Sequence, residues 1–204
     1  MHLGLFGRFR AFDGEPPDPR PTTRLRLRSG EHTVDLSGAT ASGLLDRAGE
    51  QKLLARLGPD PLRADADPGR ALAALRRRRS TIAAALLDQQ VIAGLGNVYR
   101  AELLFACGLD PWLAARDCTE AELSLIWATA VAMLTAGERS GRIITVPAAE
   151  AGGPPSRLRG RERHQVYRRE RCRRCGTSVR SETVAARTLY WCPRCQSPGA
   201  RPAA

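Results

Sequence analysis

Near its C-terminus the chain reads Cys172-Arg173-Arg174-Cys175, then sixteen residues, then Cys192-Pro193-Arg194-Cys195. Two Cys-x2-Cys pairs at this separation are typical of a structural zinc site, because each pair turns two thiolates towards one point. The segment between the pairs is long enough for a two-stranded ribbon. The sequence therefore predicts one structural Zn²⁺ ion, held by Cys172, Cys175, Cys192 and Cys195.

The positive charge of the chain is concentrated around these cysteines. Residues 154–204 contain thirteen arginines against three glutamates, a balance of +10, while the whole chain of 204 residues carries +11. Arginine forms bidentate hydrogen bonds with phosphate oxygens, so a segment of this kind is expected to bind nucleic acid or an anionic membrane surface. No apolar run approaches the length that spans a bilayer, and we expect no membrane insertion.

The remaining cysteines, Cys107 and Cys118, stand singly in helical-looking sequence. We expect buried free thiols at both positions, since free cysteine is among the most buried residue types. A reducing cytoplasm fits this use of cysteine.

The first part of the chain has the pattern of β-structure. Arg24-Leu25-Arg26-Leu27-Arg28 alternates strictly, and after the turn at Ser29-Gly30-Glu31 the segment His32-Thr33-Val34-Asp35-Leu36 completes a hairpin. Two or three strands make a poor independent domain. We therefore expect residues 1–66 to be the remnant of a larger β-domain and a linker.

The middle of the chain is predicted to be helical. Thr119 and Glu122 form a capping box ahead of a long apolar stripe. Earlier, Gly94-Leu95-Gly96-Asn97 interrupts the helical pattern, with Asn97 placed as a helix N-cap. Amides exposed at a helix start bind phosphate. On this motif alone, an ordinary turn between two helices is the alternative.

Arg187 lies five residues before Cys192, at or near the tip of the predicted ribbon. An arginine at the tip of a zinc-stapled ribbon is placed to contact a DNA phosphate or to enter a groove. The alternative is a solvated surface arginine, which must describe most arginines of this chain.

Taken together, these segments resemble the Fpg/Nei family of DNA glycosylases. Leu86-Leu87-Asp88-Gln89, Ile92–Phe105 and Gly108-Leu109-Asp110-Pro111 are similar to the helix–two-turns–helix region of that family. Gln165-Val166-Tyr167, the four cysteines and Arg187-Thr188 are similar to its zinc finger, a version of which also ends some aminoacyl-tRNA synthetases. The resemblance covers almost the whole chain.

The resemblance implies an α+β protein with three domains. These are the remnant of an N-terminal β-sandwich with its linker (1–66), a helix–two-turns–helix DNA-binding domain (67–153) and a C-terminal four-cysteine zinc β-hairpin (154–204). Members of the family flip a damaged base out of duplex DNA, cut its glycosidic bond and nick the strand by β,δ-elimination. The expected partner is double-stranded DNA with a damaged base or an abasic site, bound by a monomer in the cytoplasm at the nucleoid.

The resemblance also assigns roles to individual residues. Asn97, supported by backbone amides around Gly96, would bind a phosphate near the lesion. Arg187 would bind the flanking phosphate, and in the Nei branch the equivalent arginine donates a proton in δ-elimination. Leu5 and Phe6 match a loop that fills the gap left by the flipped base. The alternative for these two apolar residues is a place in the hydrophobic core.

Two further positions bear on the branch of the family. Asp35-Leu36-Ser37-Gly38-Ala39-Thr40 stands where Fpg-type enzymes carry an Asp-Pro-Arg-Arg-Phe-Gly loop. This difference favours a Nei-like member and oxidised pyrimidines over 8-oxoguanine. Ala186 stands where glycine is common before the tip arginine, so the tip geometry is expected to differ.

The start of the chain departs from the family pattern. The family's nucleophile is the amine of an N-terminal proline, followed by a glutamate and assisted by a lysine from the β-sandwich. This chain opens Met1-His2-Leu3-Gly4, which matches a strand well inside a full-length member, so those three residues have no counterpart. We expect the C-terminal part of such an enzyme, through a mis-assigned start codon or a true truncation. The alternatives are a non-catalytic damaged-DNA-binding remnant and an RNA-binding zinc module.

Overall fold

The computed structural model describes residues 7–197, which form two compact units divided after Leu53. The first unit contains a β-sheet, and the second contains helices and a two-stranded ribbon. The predicted α+β fold class is therefore confirmed. Within residues 7–197, no helix is both long enough and apolar enough to cross a membrane.

The first unit is built on a three-stranded antiparallel sheet with the strand order β1-β3-β2. Its strands are β1 (Arg8–Asp13), β2 (Thr23–Ser29) and β3 (His32–Ser37). The predicted hairpin is confirmed, because β2 pairs with β3 so that Leu27 lies opposite Val34. On the other face, Arg26 binds Asp35 through two hydrogen bonds of 2.6 and 2.7 Å. A short helix, α1 (Arg47–Leu54), follows the sheet.

The described part of the second unit contains four α-helices. They are α2 (Pro68–Arg76), α3 (Ile82–Ala85), α4 (Asn97–Ala106) and α5 (Glu120–Ser140). The predicted capping box is confirmed: Thr119 and Glu122 satisfy each other's backbone amides at the start of α5. Helix α5 ends at Gly141, whose φ of 61° is the left-handed conformation that favours glycine.

Helix α4 is the central element of this unit, because every residue from Tyr99 to Phe105 is buried. One side of α4 packs Leu103 and Leu104 into the main core. The other side packs Ala101 and Phe105 against the cysteine cluster. A helix that is apolar on nearly all sides can be stable only if partners cover it all round.

The ribbon consists of two antiparallel strands, β4 (Arg180–Val184) and β5 (Arg187–Trp191). Leu189 and Trp191 of β5 belong to the same core as the helices, and the Trp191 ring meets the Trp112 ring edge-on at 5.3 Å. The second unit thus contains both the predicted helical segment and the predicted zinc segment. The three-domain division at residues 66 and 153 stays a prediction.

Both single cysteines are buried free thiols, as predicted. Burial raises the pKa of Cys107 and that of Cys118 to about 11, so neither is a thiolate at neutral pH. They behave as small apolar residues of the helical core.

Candidate metal centre and nucleic-acid interface

The four predicted zinc ligands converge at one point. The sulfur atoms of Cys172, Cys175, Cys192 and Cys195 all lie within 4.8 Å of one another. Cys172 and Cys195 are 3.9 Å apart and Cys175 and Cys192 are 3.5 Å apart, measured between sulfurs. Zinc–sulfur bonds of about 2.3 Å in a tetrahedron place the sulfurs about 3.8 Å apart. The cluster therefore fits one structural Zn²⁺ ion.

A cation also fits the chemistry of the cluster. Against the effect of burial, hydrogen bonds with Thr177 lower the pKa of the Cys175 thiol to about 6, whereas burial raises the pKa of the Cys172 thiol to about 11, so Cys172 resists ionisation on its own. A divalent ion among the four sulfurs reverses that preference, because it stabilises thiolates directly. When bound, zinc would cross-link the two ends of the ribbon segment through all four cysteines.

A buried glutamine connects the second cysteine pair to the helices. Gln196 accepts a hydrogen bond from the Cys192 amide at 2.9 Å and donates one to the Leu109 carbonyl at 3.1 Å. The metal centre is thereby fixed to the loop that follows α4.

The turn before α4 is held by one side chain. Gln89 accepts a hydrogen bond from the Gly94 amide and donates one to the Leu95 carbonyl, each at 2.9 Å. Gly94 has a φ of 85°, which explains the glycine at this position. The turn leads directly into α4, and no side chain caps the N-terminus of this helix.

The predicted role of Asn97 as an N-cap is wrong. The N-cap of α4 is Gly96, and Asn97 is the first residue inside the helix. Its side chain is used elsewhere: Asn97 Nδ2 donates to the Thr188 carbonyl at 2.9 Å. The first amides of α4 are left without a side-chain partner, which is the arrangement that binds anions.

The ribbon tip lies directly beside this helix start. The turn is formed by Ala185 and Ala186, whose φ angles of 52° and 59° are both left-handed. Arg187 follows at the first position of β5, with an exposed side chain. It takes part in none of the ion pairs found within residues 7–197. The contact between Asn97 and Thr188 brings the two predicted DNA-binding positions together.

Sequence reasoning missed a buried arginine between them. Arg100 is 0% exposed and lies on the second turn of α4. Its Nη2 donates to Asn97 Oδ1 at 2.5 Å and to the Arg187 carbonyl at 3.4 Å, and its Nη1 donates to the Val184 carbonyl at 3.2 Å. Burial lowers the pKa of Arg100 to about 10, which still leaves it charged at neutral pH.

A buried glutamate two residues further along α4 was also missed. Glu102 is 1% exposed, and its carboxylate accepts hydrogen bonds from the backbone amides of Gln165, Val166 and Tyr167 at 2.7–2.9 Å. The Thr145 hydroxyl donates a fourth. Glu102 therefore holds the segment that leads into the first cysteine pair.

A basic cavity of about 820 Å³ opens beside the start of α4 and strand β5. Val98, Tyr167 and Tyr190 form part of its wall, with the two tyrosine rings edge-on at 5.1 Å. Among the described residues that line the cavity, Glu170 is the one acid, and five are arginines: Arg142, Arg161, Arg163, Arg168 and Arg169. Their charge favours an anionic ligand.

Two predicted site residues, Leu5 and Phe6, lie outside the described residues. Their proposed place in a base-stacking loop stays a prediction.

The segments that form this interface match two family models. Residues 57–147 match the formamidopyrimidine-DNA glycosylase H2TH domain, and residues 169–198 match a zinc finger found in FPG and IleRS. Together these matches define a DNA glycosylase class of protein, with its helical motif and zinc finger in one chain.

Whole-chain relatives agree. The chain is 42% identical to "Endonuclease 8 1" of Mycobacterium tuberculosis, over 97% of its own length and 76% of the relative. It is 35% identical to the formamidopyrimidine-DNA glycosylase of Thermus thermophilus, over 97% of its own length and 74% of the relative. The solved structure of Lactococcus lactis Fpg with DNA containing an abasic site has the same fold, with a TM-score of 0.75. The match covers 97% of this chain and 74% of that chain, at 23% sequence identity. The chain belongs to the Fpg/Nei family of DNA glycosylases.

Proposed function

We propose that this chain binds double-stranded DNA containing a damaged base or an abasic site, as the DNA-holding part of a base-excision repair glycosylase and AP lyase. The observation that carries the proposal is the contact between the start of α4 and the ribbon tip. Asn97 Nδ2 lies 2.9 Å from the Thr188 carbonyl, next to the exposed Arg187. Two groups suited to phosphate are thus adjacent on one surface.

The start of α4 supplies the first phosphate contact. Its leading amides have no side-chain cap, and the helix dipole adds a partial positive charge at the same point. Asn97 retains one side-chain N–H beyond the one given to Thr188. A phosphate oxygen at this position would accept from that N–H and from the amides around Gly96.

The ribbon tip supplies the second contact. The Arg187 guanidinium is exposed and can meet a neighbouring phosphate with a bidentate pair of hydrogen bonds. As the family resemblance implies, we assign Arg187 the further role of proton donor in δ-elimination. The five arginines of the cavity beside α4 and β5 add positive charge that would attract the DNA backbone.

Among lesions, we propose oxidised pyrimidines. The support is the 42% identity with "Endonuclease 8 1", higher than the 35% found with the Thermus thermophilus formamidopyrimidine-DNA glycosylase. The segment Asp35–Thr40, which differs from the Fpg-type loop, points the same way.

We further propose that the chain acts as a monomer in the cytoplasm, in contact with the nucleoid. Six cysteines without a disulfide support a reducing compartment.

The test is a comparison of three ligands at one salt concentration: an abasic-analogue duplex, the undamaged duplex and a matched RNA. The proposal predicts the tightest binding to the abasic-analogue duplex. Fixed salt is essential because phosphate-driven affinity falls steeply with ionic strength. Equal affinity for both DNA duplexes, or a preference for RNA, would contradict it.

Borohydride trapping on an abasic duplex tests the chemistry separately. We expect no covalent adduct from these 204 residues, because the proline nucleophile that the resemblance implies has no counterpart among them. A trapped adduct would show that another amine of this chain forms the Schiff base.

A further inference from the structure

We propose that Arg100 is a positioning residue that holds Asn97 and the ribbon tip in one fixed arrangement, so that both can meet the DNA backbone together. This inference rests on the proposed function, because it takes the surface around Asn97 and Arg187 as the DNA-binding surface. It goes further by assigning the geometry of that surface to a residue that cannot itself reach the ligand.

The contacts of Arg100 span the two elements that form the surface. Nη2 donates both to Asn97 Oδ1 on α4 and to the Arg187 carbonyl on β5. Nη1 donates to the Val184 carbonyl on β4, and at 3.5 Å to the Ala83 carbonyl of α3. One planar guanidinium therefore joins two helices to both sides of the ribbon tip.

The bond to Asn97 fixes the direction of its amide. Because Arg100 is a donor only, it can bind the oxygen of the Asn97 amide and not the nitrogen. The nitrogen is then turned to the Thr188 carbonyl, and its second N–H stays available for a ligand. Without Arg100, the amide is free to rotate and to present its oxygen towards a phosphate, which would repel it.

The bonds to the ribbon hold a strained turn. Ala185 and Ala186 both adopt left-handed φ angles that alanine rarely takes. Such conformations persist only where the surroundings hold them. Arg100 donates to the carbonyls immediately before and after these alanines, on Val184 and Arg187, and so fixes the position from which the Arg187 side chain departs.

The need to fill the hydrophobic core does not explain why residue 100 is an arginine. Arg100 is fully buried, its bonds to Ala83, Val184, Asn97 and Arg187 all go to neutral oxygens, and its Nε has no hydrogen-bond partner within residues 7–197. An apolar side chain would fill the space without burying a charge or an unpaired donor. What the arginine alone provides is a rigid fork that meets several oxygens at once.

The experiment is a double-mutant cycle on affinity for an abasic-analogue duplex at fixed salt, using Arg100→Met and Arg187→Ala. If Arg100 acts through the tip, Arg100→Met weakens binding about tenfold. Arg187→Ala then reduces the affinity far less in the Arg100→Met background than in the unchanged chain. Arg100→Lys should not restore binding, because an ammonium cannot reproduce the planar fork. Arg116→Met, at an exposed position of the short 3₁₀ helix Ala115–Asp117, controls for the loss of one positive charge.

Bound zinc and the unfolding midpoint are measured on every variant. Additive effects of the two substitutions, or full rescue by lysine, would overturn the inference. So would loss of zinc or of cooperative unfolding in both Arg100 variants, because Arg100 would then serve the fold alone. Failure of the unchanged chain to prefer the abasic-analogue duplex would instead overturn the proposed function, which separates the two.

Discussion

The zinc ribbon is fixed at its two ends by different means. At its base, four cysteine sulfurs within 4.8 Å of one another form a site for a metal ion. At its tip, a single buried arginine binds the carbonyls of Val184 and Arg187. The base is packed against Phe105 and Val166, whereas the tip leaves Arg187 exposed.

This contrast separates stability from ligand binding within one small element. A metal cross-link is strong, and its stability depends on the ligands rather than on the residues between them, so it suits the base of the ribbon. The tip must instead hold two alanines in a strained turn and keep an arginine available. Helix α4 supports both ends, through Phe105 and Ala101 near the metal site and through Arg100 at the tip.

The largest effect is expected at the base. Cys192→Ser should abolish zinc binding, which contributes roughly 10–16 kcal/mol in zinc-finger peptides at neutral pH. Because Leu189 and Trp191 belong to the helical core, we expect the helices of the second unit to melt at a lower temperature as well. Zinc content and circular dichroism melting measure both effects. Cys118→Ser is the matched control and should keep one zinc, whereas a Cys192→Ser variant that retains its zinc would contradict the assignment.

A smaller effect is expected at the joint between α4 and the first cysteine pair. Glu102→Gln keeps the shape of the side chain but replaces one acceptor oxygen with a donor facing backbone amides. The free energy of unfolding in urea should fall by about 3 kcal/mol, with zinc still bound. Glu138→Gln, on the exposed part of α5, should change it by less than about 0.5 kcal/mol. Equal stability of the two variants would show that the amides do not depend on the Glu102 charge.

The smallest effect is expected at the tip turn. Replacing Ala185 by Asn and Ala186 by Gly introduces the residues that a turn with two left-handed positions prefers. The free energy of unfolding should rise by about 1–2 kcal/mol, because the left-handed cost of alanine is removed. Ala136→Gly in helix α5 should have the opposite sign, with a loss of about 1 kcal/mol. A destabilising Asn-Gly turn would mean that the alanines are not strained.

The same contrast explains what the sequence could predict. The metal site at the base of the ribbon could be predicted because metal ligands have a fixed chemistry and a fixed spacing, and the four cysteines do converge. The capping box at Thr119 and a ribbon tip close to Arg187 could be predicted because local backbone rules determine them, although the turn itself is formed by Ala185 and Ala186 and Arg187 is the first residue of β5. Each of these features lies within a short stretch of chain.

The roles of Arg100 and Glu102 could not be predicted, because their partners on the ribbon and in residues 165–167 lie about sixty to ninety residues away and only the tertiary fold brings them together. Charged residues inside a helix are normally assigned to its solvent face, since buried charges are rare. The available indication was the run from Val98 to Phe105, which leaves α4 no polar face for them. Asn97 was misassigned for a related reason: its amide is used by β5 and Arg100 instead of capping the helix.

The most direct test of the account is the affinity for an abasic-analogue duplex, measured over a range of salt concentrations for the unchanged chain, Asn97→Ala, Arg187→Ala and Arg116→Ala. If α4 and the ribbon tip form one phosphate-binding surface, Asn97→Ala and Arg187→Ala each weaken binding about tenfold, with zinc retained. Arg187→Ala should also lower the salt slope by about one, while Arg116→Ala changes affinity little. Unchanged affinity in both Asn97→Ala and Arg187→Ala would contradict the account.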